Sequence, residues 1–166
     1  IPVDFVLGDG QSLPFREECF DLILGLDVFE HIPDDLKTVK EAKRVLTRKG
    51  VLVGTVPTSE GRRFFLRGEG ESRMTRDDVE LGHHRRYNRR MIMRLAREAG
   101  MKLEKIGYYN QVFSEFAEEV REVLRRYKVP DYLLFPFLFP MAKIDFMLIP
   151  DDVEGTGCYF KMVKER

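Results

Sequence analysis

Residues 20–57 read FDLILGLDVFEHIPDDLKTVKEAKRVLTRKGVLVGTVP, and this stretch decides the fold. Phe20 to Leu26 is an apolar run of strand length. Apolar residues then recur every three or four positions, which predicts a helix with Asp34 as N-cap and Gly50 as left-handed C-cap. Val51 to Val56 is β-branched and predicts a second strand. This order favours a parallel sheet with helices packed on it, and the continuous apolar strands predict burial on both faces.

The same criteria predict further elements along the chain. The pattern predicts a buried strand at Val3 to Leu7, a helix from Asn88 to Gly100, a strand at Lys102 to Tyr109, an amphipathic helix at Ser114 to Tyr127 and a closing strand at Gly157 to Lys164.

Two segments stand apart from this pattern. Residues 58–87 are polar, rich in Gly and Arg and without a clear period, which is typical either of a functional segment such as a lid or of disorder. Residues 130–150 are strongly apolar but contain four prolines, which argues against a membrane-spanning helix. This apolar insertion has three interpretations: cover for the core, a dimer interface or shelter for a hydrophobic substrate. We favour the first two.

Composition limits the class of protein. The 166 residues fit a single domain, residues 1–166, and the formal net charge of zero gives no overall attraction to nucleic acid or membrane. Cys19 and Cys158 are too distant in sequence for a zinc motif, so we expect reduced thiols and a cytoplasmic location. No signal peptide is visible at Ile1, and the start at a residue other than Met suggests an upstream segment. Few Asn and Gln beside abundant Arg, Lys and Glu is typical of thermophiles.

Four motifs carry a family resemblance. They are GDGQSLPF at residues 8–15, FDLILGLDVFEHIPD at 20–34, RVLTRKGVLVGTVP at 44–57, and GHHRRYN at 82–88 with EAGM at 98–101. In this order they resemble the class I S-adenosylmethionine-dependent methyltransferases, and the domain is similar to the type found in ubiquinone and menaquinone biosynthesis. The chain lacks that family's glycine-rich G-x-G-x-G turn and resembles its C-terminal portion.

The resemblance implies a doubly wound, mostly parallel, Rossmann-like α/β sheet without its N-terminal strands and with an antiparallel last strand. It implies S-adenosyl-L-methionine as cofactor. Asp9 would accept a hydrogen bond from the adenine amino group, beside the backbone of Gly10 and Gln11. A carboxylate after a strand also lies where open α/β sheets bind ligands. The alternative is that Asp9 only caps a turn.

The end of the second apolar run has an implied role as well. Gly25, Leu26 and Asp27 would line the methionine moiety and the transferring methyl group, with Gly25 allowing a close backbone approach. For Asp27 the alternative, that it is an ordinary carboxylate of a loop or helix entry, is equally open.

Imidazoles are the candidate catalytic bases because they titrate near neutral pH. His31 and His83 are the predicted catalytic residues, with His84 as a further candidate. The alternative is that the segment around His83 only packs and caps the following helix. Asp27, Glu30 and His31 also resemble the E-x-x-E-H pattern of metal-dependent O-methyltransferases, in which a cation orients a catechol or ribose diol. Relatives without metal share the same ending, so the metal ligands stay unknown.

The predicted function is methylation of a small molecule on oxygen or carbon. From Arg62 to Arg97 the chain contains eleven arginines and five acidic residues, and this excess of positive charge favours an anionic substrate. The apolar insertion at 130–150 would instead favour a hydrophobic one. A homodimer is considered, and nucleic acid is disfavoured because aromatic residues are sparse in the arginine patch at 62–97. Two alternatives remain open: a non-catalytic module that does not bind cofactor alone, and an RNA-binding methyltransferase that uses the arginine patch.

Overall fold

The computed structural model describes residues 3–61, 74 and 76–165. Within them the strands are β1 (Phe20–Leu26), β2 (Leu46–Pro57), β3 (Lys102–Tyr109) and β4 (Gly157–Val163). The helices are α1 (Asp35–Val45), α2 (Arg76–Glu80), α3 (Arg89–Ala99), α4 (Val112–Arg126) and α5 (Asp131–Leu148), and a 3-10 turn spans Phe29–His31.

The four strands form one sheet in the order β1-β2-β4-β3. β1 and β2 pair in parallel, and β4 lies antiparallel between β2 and β3. β1, β2 and β3 therefore run in one direction, and β4 alone opposes them. This confirms the predicted α/β class with a mostly parallel sheet and an antiparallel last strand.

Local capping signals place two of the helices as predicted. The Asp34 carboxylate accepts a hydrogen bond of 2.9 Å from the backbone N–H of Lys37 at the start of α1. The Asn88 side chain accepts one of 2.9 Å from Met91 at the start of α3. Gly100 ends α3 with a φ of 67°, the left-handed conformation that glycine adopts without strain.

The predicted C-cap at Gly50 is wrong. α1 ends at Val45, and Leu46 already pairs with Phe20 of β1. Both Val45 and Leu46 are fully buried, so packing of these side chains against the sheet outweighs the helical pattern that continues beyond them. The left-handed residue is Lys49, with a φ of 65°, inside an irregular stretch of β2.

The predicted strand at Val3 to Leu7 is also wrong. The run has no strand structure, and the side chains of Phe5 and Leu7 are 95% and 101% exposed. A buried strand needs a partner on an edge and apolar layers on its faces, and the described chain provides neither for this run. β1 likewise leaves three leucines more than half exposed, which contradicts the predicted burial of its two faces. These leucines are Leu22, Leu24 and Leu26.

The core lies between the sheet and the helices α1 and α3. Leu52 and Val56 of β2 are fully buried there with Phe160 of β4. Val39 of α1 and Ile92 of α3 close the cluster from the helical side. This packing fixes the direction of β1 and β2, whose C-terminal ends carry the candidate site.

α4 and α5 pack against each other. The buried carboxylate of Asp145 in α5 accepts hydrogen bonds from the backbone N–H groups of Phe113 (2.9 Å) and Ser114 (2.7 Å), so it caps α4. Several apolar side chains of α5 are exposed, among them Phe146 at 89%. The dimer-interface and substrate-shelter interpretations stay predictions. In the described part of the chain no helix is long and apolar enough to cross a membrane.

Candidate active site

A turn at Asp9 shapes the loop that precedes β1. Asp9 Oδ1 accepts a hydrogen bond of 2.8 Å from Gln11 N, and the Asp9 carbonyl accepts one of 2.9 Å from Ser12 N. Asp9 therefore caps a turn, and its carboxylate is exposed. Gly10 lies against the Ile32 side chain, where an added Cβ would come within 3.0 Å of Cδ1. The loop thus packs on the segment that follows the C-terminal end of β1.

Two charged residues of α1 hold the remainder of this loop. Glu41 Oε1 accepts a hydrogen bond of 3.1 Å from Leu13 N, and Arg44 Nη2 donates to the carbonyls of Leu13 (3.2 Å) and Phe15 (2.8 Å). Glu41 and Arg44 pair with each other at 2.6 Å. The hydrogen bond from Arg44 lowers the pKa of the Glu41 carboxyl, so the pair stays ionised. The Leu-Pro-Phe part of the loop is thereby fixed to α1.

The C-terminal tip of β1 is tightly built. Gly25 lies over the Phe29 ring, and an added Cβ would approach that ring to 2.7 Å. Asp27 has a φ of 49°, and its carboxylate accepts a hydrogen bond of 3.0 Å from the Thr55 hydroxyl on β2. Burial, followed by the nearby Asp27 carboxylate, raises the pKa of Tyr109 to about 12. The hydrogen bonds between Asp27 and Thr55 therefore join the tip of β1 to β2 at the C-terminal ends of the two parallel strands.

The motif around residues 82–88 docks onto the motif around residues 30–35. The buried Tyr87 hydroxyl donates to Asp35 Oδ2 at 2.8 Å and lies 3.2 Å from the Phe29 carbonyl. Arg85 Nη1 lies 3.0 Å from the same Asp35 carboxylate. His84 N donates to the Glu30 carbonyl at 2.7 Å. Two motifs that are distant in sequence therefore form one structural unit.

This docking brings Glu30, His31 and His83 together. One ligand atom from each of the three side chains lies within 4.8 Å of the others. The imidazole rings of His31 and His83 meet edge to face, with centroids 4.7 Å apart. Glu30 is only 1% exposed, and burial is the main cause of the raised pKa of its carboxyl group. Its Oε2 has no hydrogen-bond partner among the described residues.

A carboxylate on α2 orients the His83 ring. Asp78 Oδ1 lies 2.8 Å from His83 Nδ1, and Asp78 Oδ2 accepts a hydrogen bond of 2.7 Å from Arg86 Nε. Arg86 also donates to the Thr58 carbonyl at 3.1 Å. Because the Asp78 carboxylate also accepts a hydrogen bond from the Arg86 guanidinium, it is an acceptor for the His83 Nδ1–H, and in the neutral imidazole the second ring nitrogen, Nε2, carries the lone pair.

The predicted site residues thus fall into three neighbouring groups. Asp9, Gly10 and Gln11 form the turn before β1; Gly25, Leu26 and Asp27 form the tip of β1; and His31 and His83 are in contact. The sequence did not point to Asp78, whose neighbours carry no motif, and it gave Tyr87 no role beyond packing with the segment around His83. Tyr87 had a detectable signal, since it stands inside the GHHRRYN motif.

The arginine patch is only partly described. Arg85 forms an ion pair with Asp35, and Arg86 forms one with Asp78. These two arginines therefore stabilise the fold. Residues 62–73, which hold other arginines of the patch, lie outside the described residues, and so does residue 75 of the predicted lid at 58–87. The lid therefore stays a prediction.

Comparison with known proteins identifies a related family and related folds. Residues 1–54 match the family described as a methyltransferase domain. Demethylmenaquinone methyltransferase of Thermotoga maritima is 40% identical over 50 residues, which is 30% of this chain and 22% of that protein. The chain thus matches less than a quarter of the length of this relative.

Two solved structures extend the likeness over nearly the whole chain. A Bacillus halodurans protein provisionally assigned as a methyltransferase superposes with a TM-score of 0.57 at 20% identity, covering 99% of this chain and 78% of that one. Phosphoethanolamine N-methyltransferase 2 of Haemonchus contortus, in complex with S-adenosyl-L-methionine, gives 0.56 at 21% identity, covering 95% of this chain and 36% of that one. At such identities the likeness establishes the Rossmann-like methyltransferase fold.

Proposed function

We propose that this chain, whose residues 1–54 belong to a methyltransferase domain family and whose fold is that of the class I methyltransferases, is part of an S-adenosylmethionine-dependent enzyme. Its substrate is a small molecule, methylated on oxygen or carbon. The observation that carries the proposal is that the Asp27 tip and the His31–His83 pair lie beyond the C-terminal end of the parallel strand β1, with the Asp9 turn packed through Gly10 on Ile32 of the same region. Open α/β sheets bind ligands at that edge.

The residues present fit one side of the cofactor. The exposed Asp9 carboxylate is an acceptor for an exocyclic amino group, and the turn supplies backbone groups beside it. Leu26 and Asp27 stand at the β1 tip, where the methionine end would lie. The 166 residues contain no G-x-G-x-G sequence, so the contacts which that turn makes to the cofactor are assigned to no residue here.

The chemistry divides between cofactor and protein. When bound, the cofactor supplies a methyl group on a sulfonium, which an oxygen or carbon nucleophile attacks in line. This chain's residues position the nucleophile and accept its proton. The exposed His31 imidazole, in contact with His83, is a suitable proton acceptor in the absence of a bound cation.

The small-molecule substrate is supported by the likeness to the demethylmenaquinone methyltransferase of Thermotoga maritima, which is 40% identical over 50 residues. The structure adds one argument against RNA as substrate: Arg85 and Arg86 hold the docked motif together and are less available to phosphates. A cytoplasmic location remains part of the same proposal.

Calorimetric titration with S-adenosylhomocysteine tests the proposal. We expect micromolar binding by the wild-type chain, a loss of at least tenfold in Asp9→Ala and no change in Asp152→Ala, an exposed aspartate elsewhere. If the wild type does not bind, the chain alone is a non-catalytic module and the proposed function fails for it. Equal losses in both variants would refute the role of Asp9.

A further inference from the structure

We infer that Glu30, His31 and His83 form a binding site for a divalent transition-metal cation. The three side chains come from two segments, the 3-10 turn after β1 and the docked motif before α3. Their ligand atoms already lie within 4.8 Å of one another. Ligands of a tetrahedral cation lie about 3.4 Å apart, because each bond is about 2.0–2.1 Å long. An inward adjustment of about 1 Å completes the site, and the exposed His31 ring is free to make it.

The buried Glu30 carboxylate supplies the strongest argument. Glu30 is 1% exposed, and one oxygen of its carboxylate has no hydrogen-bond partner among the described residues. A buried charge in this situation costs free energy of folding unless hydrogen bonds or an opposite charge compensate it. A cation bound between Glu30 and the two imidazoles provides that charge. Asp27 is not part of the proposed set, because it does not belong to the group of ligand atoms within 4.8 Å of one another, and its carboxylate accepts a hydrogen bond from Thr55.

The His83 ring is oriented as a ligand. Its Nδ1–H is held by Asp78, and Arg86 holds Asp78 in turn, so the Nε2 lone pair is the one available to a cation. Metal-ligating histidines commonly donate their other ring N–H to a carboxylate in this way, which fixes the tautomer and raises ligand basicity. Asp78 is therefore a positioning residue for the site.

The two segments are also held together without a cation. The hydrogen bonds from His84 N to the Glu30 carbonyl and from Tyr87 to Asp35 keep His83 beside His31. A cation then meets a largely preformed site and does not have to order a flexible chain, which favours affinity.

The donor set defines the class of cation. Two imidazoles and one carboxylate favour Zn²⁺, Co²⁺, Fe²⁺ or Mn²⁺, whereas Mg²⁺ and Ca²⁺ prefer oxygen ligands. Three protein ligands leave positions for water or a substrate oxygen on the exposed His31 side. If the proposed function holds, a coordinated substrate hydroxyl would lose its proton more readily, which serves the methyl transfer. Cation binding itself does not depend on that function.

The test measures Zn²⁺ and Co²⁺ binding to the metal-free chain by calorimetry and by the Co²⁺ absorption spectrum, without cofactor. We expect one saturable site in the wild type and at least tenfold weaker binding in His31→Ala, His83→Ala and Glu30→Gln. His84→Ala is the matched control, since the chain has three histidines and the His84 side chain is exposed. Asp78→Asn is expected to weaken binding by about 10–100-fold while the nitrogen-ligand bands of Co²⁺ persist.

The result that overturns the inference is no saturable site in the wild type, or a loss in His84→Ala equal to that in His83→Ala. Circular dichroism checks the fold of each variant. If Glu30→Gln fails to fold, His31→Ala at the exposed position decides the question. S-adenosylhomocysteine titration of the same metal-free samples separates the two proposals, because cofactor binding does not require Glu30, His31 or His83.

Discussion

Tyr87→Phe tests whether the docked motif is held by its tyrosine hydroxyl. The substitution removes one oxygen from a side chain that is 1% exposed and keeps the ring in the core. The hydroxyl donates to the Asp35 carboxylate at 2.8 Å, and burial together with that carboxylate raises the pKa of Tyr87, so the hydroxyl remains a donor at neutral pH. Hydrogen bonds to charged groups contribute about 1.5–3 kcal/mol. We expect the free energy of unfolding to fall by that amount.

Urea unfolding followed by circular dichroism provides the measurement. With an m-value of about 2 kcal/mol/M, the loss corresponds to a midpoint lower by about 1 M. The melting temperature should fall by roughly 3–12 °C for a chain of this size. Tyr127→Phe is the control, because Tyr127 is 77% exposed and its hydroxyl should matter by less than about 0.5 kcal/mol. A loss in Tyr87→Phe no larger than in the control would refute the docking role.

Three further predictions concern the surroundings of the site. Burial raises the pKa of Cys158 to about 12, so at pH 8 only Cys19 should react with a thiol reagent until denaturant exposes both, and equal native rates would contradict this. The hydrogen bond from Arg44 lowers the pKa of Glu41 below its ordinary 4.5. The pair therefore stabilises the fold above pH 4.5, and this contribution is lost as the pH falls through the lowered pKa. The difference in urea midpoint between wild type and Glu41→Gln should shrink from about pH 7 to about pH 3. Gly25→Ala should cost about 1–3 kcal/mol of stability in a thermal melt, because its Cβ would overlap the aromatic ring 2.7 Å away, and an unchanged melting temperature would show that the ring moves freely.

The sequence predicted the elements whose signals are local. Asp34 and Asn88 accept hydrogen bonds from the first turns of α1 and α3, and Gly100 ends α3 in the left-handed conformation. Such caps depend on a few adjacent residues, so reading the chain alone is sufficient. The antiparallel β4 was implied by family resemblance, because strand direction depends on connections that span the whole chain.

Two features that depend on distant partners were predicted wrongly. The apolar run at Val3 to Leu7 has strand composition, yet it is exposed because no partner strand reaches it among the described residues. The helical pattern continued to Gly50, yet the chain enters β2 at Leu46, since that side chain is fully buried against the sheet. In both cases tertiary packing, which periodicity does not contain, decided the outcome.

The candidate site lies between these two cases. Sequence motifs identified His31 and His83 one at a time, and each remained open to a merely structural role. Their meeting depends on Tyr87, whose hydroxyl joins the second motif to the first, and on Asp78, which lies on a separate short helix. A histidine that acts as a base, one that binds a cation and one that only packs look alike in a sequence. They differ in which groups of the fold lie near the ring nitrogen that carries the lone pair. Here the His83 ring belongs to a group that includes a buried carboxylate, and this proximity gives the cation site its physical basis.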